Sequence, residues 1–206
     1  MNFSITLVIV AVTVLVSWRA FNDRALMERL ILWPPAVERR KQYDRLLGHG
    51  FIHADWMHLL FNMITLYSFG GAVERIFAER IGIPGFVLFY LSAIVIAILP
   101  TYLRHRNDAN YRSLGASGGV SAVLFAFILF DPWSKLIIFP IPVPIPAFVF
   151  AALYIGYSIW MERRGGDNVN HSAHLWGAAY GVLFTVLLEP RVLSHFSQSL
   201  LQGSSG

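Results

Sequence analysis

Three polar groupings interrupt otherwise apolar stretches of this chain. Ser117 lies among small residues in Gly115-Ala116-Ser117-Gly118, His174 is followed by Gly177 and Gly181, and His58 precedes Asn62 by four positions. A serine hydroxyl is a weak nucleophile that needs an adjacent base, and histidine suits that task near neutral pH. The side chains of His58 and Asn62 can donate to a developing oxyanion, alongside backbone N–H groups around Ser117 where a helix begins. Such a donor is typically worth about 3–4 kcal/mol in the transition state. These residue types fit acyl transfer, with Ser117 as nucleophile and His174 as base. His58, Asn62 and the Ser117 amide would form the oxyanion hole.

The spacing supports this only if the segments are helical. Positions 58 and 62 would then stack on one face, and 174, 177 and 181 would share another. Gly177 and Gly181 would let the helix carrying His174 approach its neighbour closely, as small residues do in membranes. Taken singly, each grouping also reads as packing: a serine beside glycine, a hydrogen-bonded histidine, a His/Asn pair joining helices. Their co-occurrence, in order and on separate segments, is what points to a site.

The elements that must position these groups are membrane helices. Of 206 residues, 56% are hydrophobic and 14% charged, against about 25% charged in soluble domains. The mean hydropathy is +0.56. Six runs approach the roughly 20 apolar residues that cross a bilayer: Asn2 to Trp18, Ala54 to Val73, Ile81 to Leu103, Ser113 to Phe130, one within Leu136 to Met161, and one within Ser172 to Leu188. The first lacks a basic leader and a small-residue cleavage pattern, so it reads as a retained span. In the fifth, Pro140, Pro142, Pro144 and Pro146 alternate, which predicts an extended lead-in with the helix starting near Pro146. The expected fold is an all-α membrane protein: one six-helix domain over 1–193. A polar tail follows over 194–206, its Gly-Ser-Ser-Gly ending reading as partly artificial.

The one long connection, Arg19 to His53, holds seven Lys and Arg with a few apolar residues such as Leu30 and Trp33. It suits a membrane-associated amphipathic loop, and its length favours a functional role. The 16 basic residues lie outside the apolar runs without a long basic tract, which argues against nucleic acid. The chain has no cysteine, so disulfides and thiolate metal sites are excluded. His-Glu-x-x-His is absent, and Asp55 and Asp131 stand at span edges, where an aspartyl mechanism would need them buried.

The combination resembles the rhomboid family of intramembrane serine proteases. The carrying motifs are His58-Leu-Leu-Phe-Asn62 on the second run, Gly115-Ala-Ser117-Gly118 at the head of the fourth, and His174-Leu-Trp-Gly177-Ala-Ala-Tyr-Gly181 on the sixth. Phe69-Gly-Gly-Ala-Val-Glu74-Arg75, His49 and His53 also match, and the likeness runs from about Arg45 to Leu188. The resemblance implies cleavage of transmembrane segments of substrate proteins in or near the lipid bilayer by a Ser117–His174 dyad, without metal or organic cofactor. It also implies a preference for small residues at the cut, a lateral gate at the fifth helix, and a cap over Glu162 to Asn170. The small core resembles bacterial members, which implies a multi-pass protein of the bacterial inner membrane.

Two positions depart from the family pattern. Ser121 stands where several bacterial relatives have an aromatic supporting the histidine ring, so support must come from elsewhere. Asp44-Arg45 replaces a Trp-Arg pair. The resemblance also implies a site opening to the extracytoplasmic side. That places twelve Lys and Arg outside and four inside, opposite to the positive-inside rule. We side with the resemblance because the first loop reads as structured. The rival functions are a rhomboid-like pseudoprotease that binds clients without cutting and a transporter, whose paired halves are not visible here.

Overall fold

The computed structural model describes residues 4–138 and 141–203. The start of the first apolar run, Pro140, and the glycine-serine ending beyond Gly203 lie outside the described residues. The chain is mostly helical, in the order α1 (Ile5–Asn22), α2 (Arg24–Leu30), α3 (Pro34–Arg40), α4 (Arg45–Gly48), a 3-10 turn (His49–Phe51), α5 (Trp56–His105), α6 (Ser117–Phe130), β1 (Lys135–Ile138), β2 (Ile141–Pro146), α7 (Ala147–Arg164), α8 (His171–Leu188) and α9 (Val192–Gln202).

Among the described residues, α1 and α5 are long and apolar enough to cross a membrane. Gly82, with φ 71° and ψ 169°, breaks the 50-residue α5. This backbone conformation is open to glycine at little cost, and it separates the expected second and third runs into helical segments 56–81 and 83–105. Helical segments thus occur in all six expected runs.

The buried centre is α6, with α5 and α8 packed against it. Eleven of its 14 residues are buried, as expected for a helix apolar all round. Phe77, Phe86, Phe89 and Tyr90 of α5 are fully enclosed beside it. The α1 helix meets α5 through a stripe of mostly small residues, Thr6, Ile9, Thr13, Ser17 and Ala20. Glu74 of α5 caps its N-terminus, accepting from the Ile5 N–H (2.9 Å), the Thr6 N–H (2.8 Å) and the Ser4 hydroxyl (2.9 Å). A carboxylate there satisfies orphan amides and complements the helix dipole.

Two expectations are refined. From Ile141 on, the proline-alternating stretch is extended and α7 begins at Ala147, as expected, but β2 also pairs antiparallel with β1 in a hairpin that alternation alone did not reveal. Part of the expected polar tail forms α9, which packs on α6 while Trp133 Nε1–H donates to the Ser199 carbonyl (2.9 Å).

The first loop is folded. Arg45, 6% exposed, donates to the Glu28 and Ile31 carbonyls and to Gln42 Oε1, each at 2.7 Å. Asp44, in place of the missing tryptophan, pairs with Arg29 at 2.5 Å. Arg40 and Arg112 lie over the Trp33 ring at 5.2 and 4.6 Å.

Candidate active site

Ser117 is the first residue of α6, so its N–H is among the donors a helix start leaves unpaired. The turn before it is held from several sides. Leu32 and Ser113 exchange both backbone hydrogen bonds (3.0 and 3.2 Å), the Gly115 N–H donates to the His49 carbonyl (2.9 Å), and the Ala116 N–H donates to His53 Nε2 (3.3 Å). Gly115 has φ 118°, and a Cβ there would sit 2.6 Å from His58 Cε1. Glycine is therefore required both by the turn and by the imidazole beside it.

His53 is fully buried, and burial, reinforced by the neighbouring His58, pushes its pKa down to about 3. It is neutral, and because Nε2 accepts from Ala116, Nδ1 carries the proton. That N–H donates to Ser17 Oγ (2.9 Å), whose hydroxyl donates to the Phe51 carbonyl (3.0 Å). A directed chain thus runs from the α1–α5 packing to the residue before Ser117. His49 is likewise lowered to about 4 by burial.

On α5, Asp55 caps the helix by accepting from the His58 N–H (2.8 Å). One turn later Asn62, 7% exposed, donates from Nδ2 to the His58 carbonyl (2.9 Å), leaving one amide proton uncommitted. His174 lies on α8, whose N-cap Asn170 accepts from the Ala173 N–H (3.0 Å). The same side chain accepts from the Thr101 hydroxyl (3.1 Å) and donates to Ser113 Oγ (3.2 Å), tying α8 to the turn before Ser117.

The α6 and α8 backbones touch at the two glycines. A Cβ on Gly177 would lie 2.1 Å from the Gly118 carbonyl oxygen, and one on Gly181 2.2 Å from that of Ala122. A Cβ on Gly118 itself would be more relevant to the α5 side, 2.6 Å from Ala97 Cβ. Here His58, Asn62, Ser117 and His174 border one cleft of roughly 970 Å³, with Ser121 and Tyr154 also in its wall. Ser117 and His174 are not hydrogen-bonded to each other among the described residues.

Sequence reasoning missed Tyr154, Asn170, Ser113 and Ser17 at this site. Asn170 had a readable signal, an N-cap residue directly before an apolar helix. The others had none, because their partners are distant in sequence. The stretch assigned to a cap over Glu162 to Asn170 contributes Asp167 through Asn170 to the cleft wall. Hydrogen bonding to His171 at 3.0 Å holds the Asp167 carboxyl below its usual range.

A rhomboid domain family model matches residues 40–191. The chain is 31% identical over 188 residues to RHOMBOID-like protein 12, mitochondrial, of Arabidopsis thaliana, covering 86% of this chain and 55% of that protein. It is 30% identical over 184 residues to the human Presenilin-associated rhomboid-like protein, mitochondrial, covering 85% and 46%. It is 26% identical over 188 residues to Rhomboid protease GlpG of Haemophilus influenzae, covering 87% and 88%. The chain thus spans about half the length of these mitochondrial relatives. Since relatives of this core include mitochondrial proteins, its small size does not mark a bacterial protein, and the expected bacterial inner membrane finds no support in them.

Proposed function

This chain belongs to the rhomboid family, and from that premise we propose that it is an intramembrane serine endopeptidase that cleaves transmembrane segments of substrate proteins. The observation that carries the reading is the meeting of His58, Asn62, Ser117 and His174, from three helices, at one cleft. The length of α6 agrees with it. Fourteen residues extend about 21 Å, less than the hydrocarbon thickness of about 30 Å. A nucleophile heading so short a helix would lie below the bilayer surface, with the cleft as its route to water.

In the proposed reaction, Ser117 Oγ attacks the scissile carbonyl while His174 takes its proton. The negative charge on the former carbonyl oxygen is met by the Ser117 N–H and by donors from His58 and Asn62. Collapse breaks the C–N bond, and His174 returns the proton to the leaving amine. Water then attacks the acyl-enzyme with His174 again as base, releasing the carboxylic acid and restoring Ser117. Two residues suffice for the proton transfers, and no third acidic member is invoked. The cleft opens to the extracytoplasmic side in this reading, with α7 as a lateral gate and 162–170 as a mobile cap, whose glycines Gly165 and Gly166 have φ 63° and 103°.

The test is cleavage of a model transmembrane substrate together with labelling by a fluorophosphonate. Wild type should cut and label; Ser117→Ala and His174→Ala should do neither. Cleavage undiminished in either mutant would remove the dyad. A chain that binds the substrate and neither cuts nor labels would be the alternative, a pseudoprotease.

A further inference from the structure

Neither ring nitrogen of His174 has a hydrogen-bond partner among the described residues. What orients the imidazole is packing. The Tyr154 ring of α7 lies against it with centroids 5.9 Å apart and an interplanar angle of 23°. His171 meets it edge-on at 5.7 Å and 78°. Tyr154 is itself held in place: its hydroxyl and Ser121 Oγ are 2.6 Å apart, and its ring packs on Phe125 and Phe150, each at 5.6 Å. Ser121 is 3% exposed and lies one turn beyond Ser117 on α6.

We propose that Tyr154 is a positioning residue for His174, supplying from α7 the aromatic support that Ser121, which has no ring, does not supply from α6. The inference rests on the protease reading above. Its physical basis is that burying a phenol hydroxyl costs free energy unless it is hydrogen-bonded. Ser121 is that partner, and the bond sets how deep the ring sits. The ring then fixes the plane of an imidazole that no other described residue hydrogen-bonds. Two residues far apart in sequence, Ser121 and Tyr154, together do the work of one aromatic.

The experiment uses the full chain in detergent and in liposomes, with Tyr154→Leu, Tyr154→Phe, Ser117→Ala and His174→Ala compared on a model transmembrane substrate carrying Ala at the cut. Misplacing a catalytic group by about 1 Å can cost on the order of 100-fold. Tyr154→Leu should therefore lower kcat about 10- to 100-fold with KM unchanged. The rate of fluorophosphonate labelling at Ser117 should fall in parallel, because that reaction needs the base and no substrate helix. Tyr154→Phe keeps the ring and should restore most of both rates. Should Tyr154→Leu fail to fold, as judged by its thermal midpoint, Tyr154→Met fills the same space without a ring and carries the same expectation. Wild-type kcat and labelling in the ringless variant would overturn the proposal, as would a change in KM alone, which would make Tyr154 a substrate contact. Inactive Ser117→Ala and His174→Ala beside a fully active ringless variant would sink this inference only. Activity surviving in Ser117→Ala or His174→Ala would sink the protease reading itself.

Discussion

A Cβ on Gly177 would lie 2.1 Å from the carbonyl oxygen of Gly118, the residue after Ser117. The helices carrying the proposed base and nucleophile are thus in backbone contact, and that contact sets how near His174 comes to Ser117. Backbone cannot rotate away as a side chain would, so even a methyl group must push the helices apart.

Gly177→Ala should accordingly destabilise the fold by at least the roughly 1–3 kcal/mol typical of overpacking and abolish fluorophosphonate labelling. Gly156→Ala on α7, where a Cβ meets nothing within 4 Å, should leave thermal midpoint and labelling unchanged. Equal effects of the two changes would show that the α6–α8 contact does not govern the site.

Asn62 is expected to act in the transition state. Asn62→Ala should lower kcat about 10²- to 10³-fold, the usual loss for one oxyanion donor, with little change in KM. Steady-state kinetics on the transmembrane substrate decides this. A rise in KM at constant kcat would assign Asn62 to substrate binding.

His53 should make stability fall in acid. Its folded pKa of about 3 lies below the ordinary 6.5, so between these values the unfolded chain binds the proton and the folded chain does not. Stability is fully present above about 6.5 and is lost progressively as pH falls toward 3. Thermal midpoints read from pH 7.5 to 4.5 should decline, and His53→Gln, which can still accept from Ala116, should flatten the decline. His49 is shifted the same way and will retain part of the slope.

Glu74 should matter more than its place at the end of an apolar run implies. Glu74→Ala orphans the donors at the start of α1 and should cost about 1–3 kcal/mol, the typical penalty for unsatisfied buried polar groups. Glu74→Gln keeps acceptor capacity and should cost less, as thermal unfolding in detergent would show. Equal stability of Glu74→Ala and wild type would mean that α1 caps itself with water.

The chain has no cysteine, so single introduced ones report membrane sidedness cleanly. With the site opening outward, Asp167→Cys should react with an impermeant maleimide in intact cells or organelles, and Gln198→Cys only after permeabilisation. The reverse pattern would favour the orientation that the basic residues imply.

What the sequence determined by itself was local or periodic. Apolar runs marked the helical segments, alternating prolines marked where α7 could not yet begin, and serine, histidine and glycine at fixed spacings marked Ser117, His174 and the close α6–α8 approach. These are legible because helix geometry ties spacing to face. Gly82 breaking α5, the β1–β2 hairpin, and Glu74 capping α1 were not legible, because each depends on where a distant partner lies. The support of His174 makes the same distinction. The sequence registered a missing aromatic at Ser121, but only the tertiary structure placed Tyr154 there, because packing selects a ring by its position in space and is indifferent to which helix carries it.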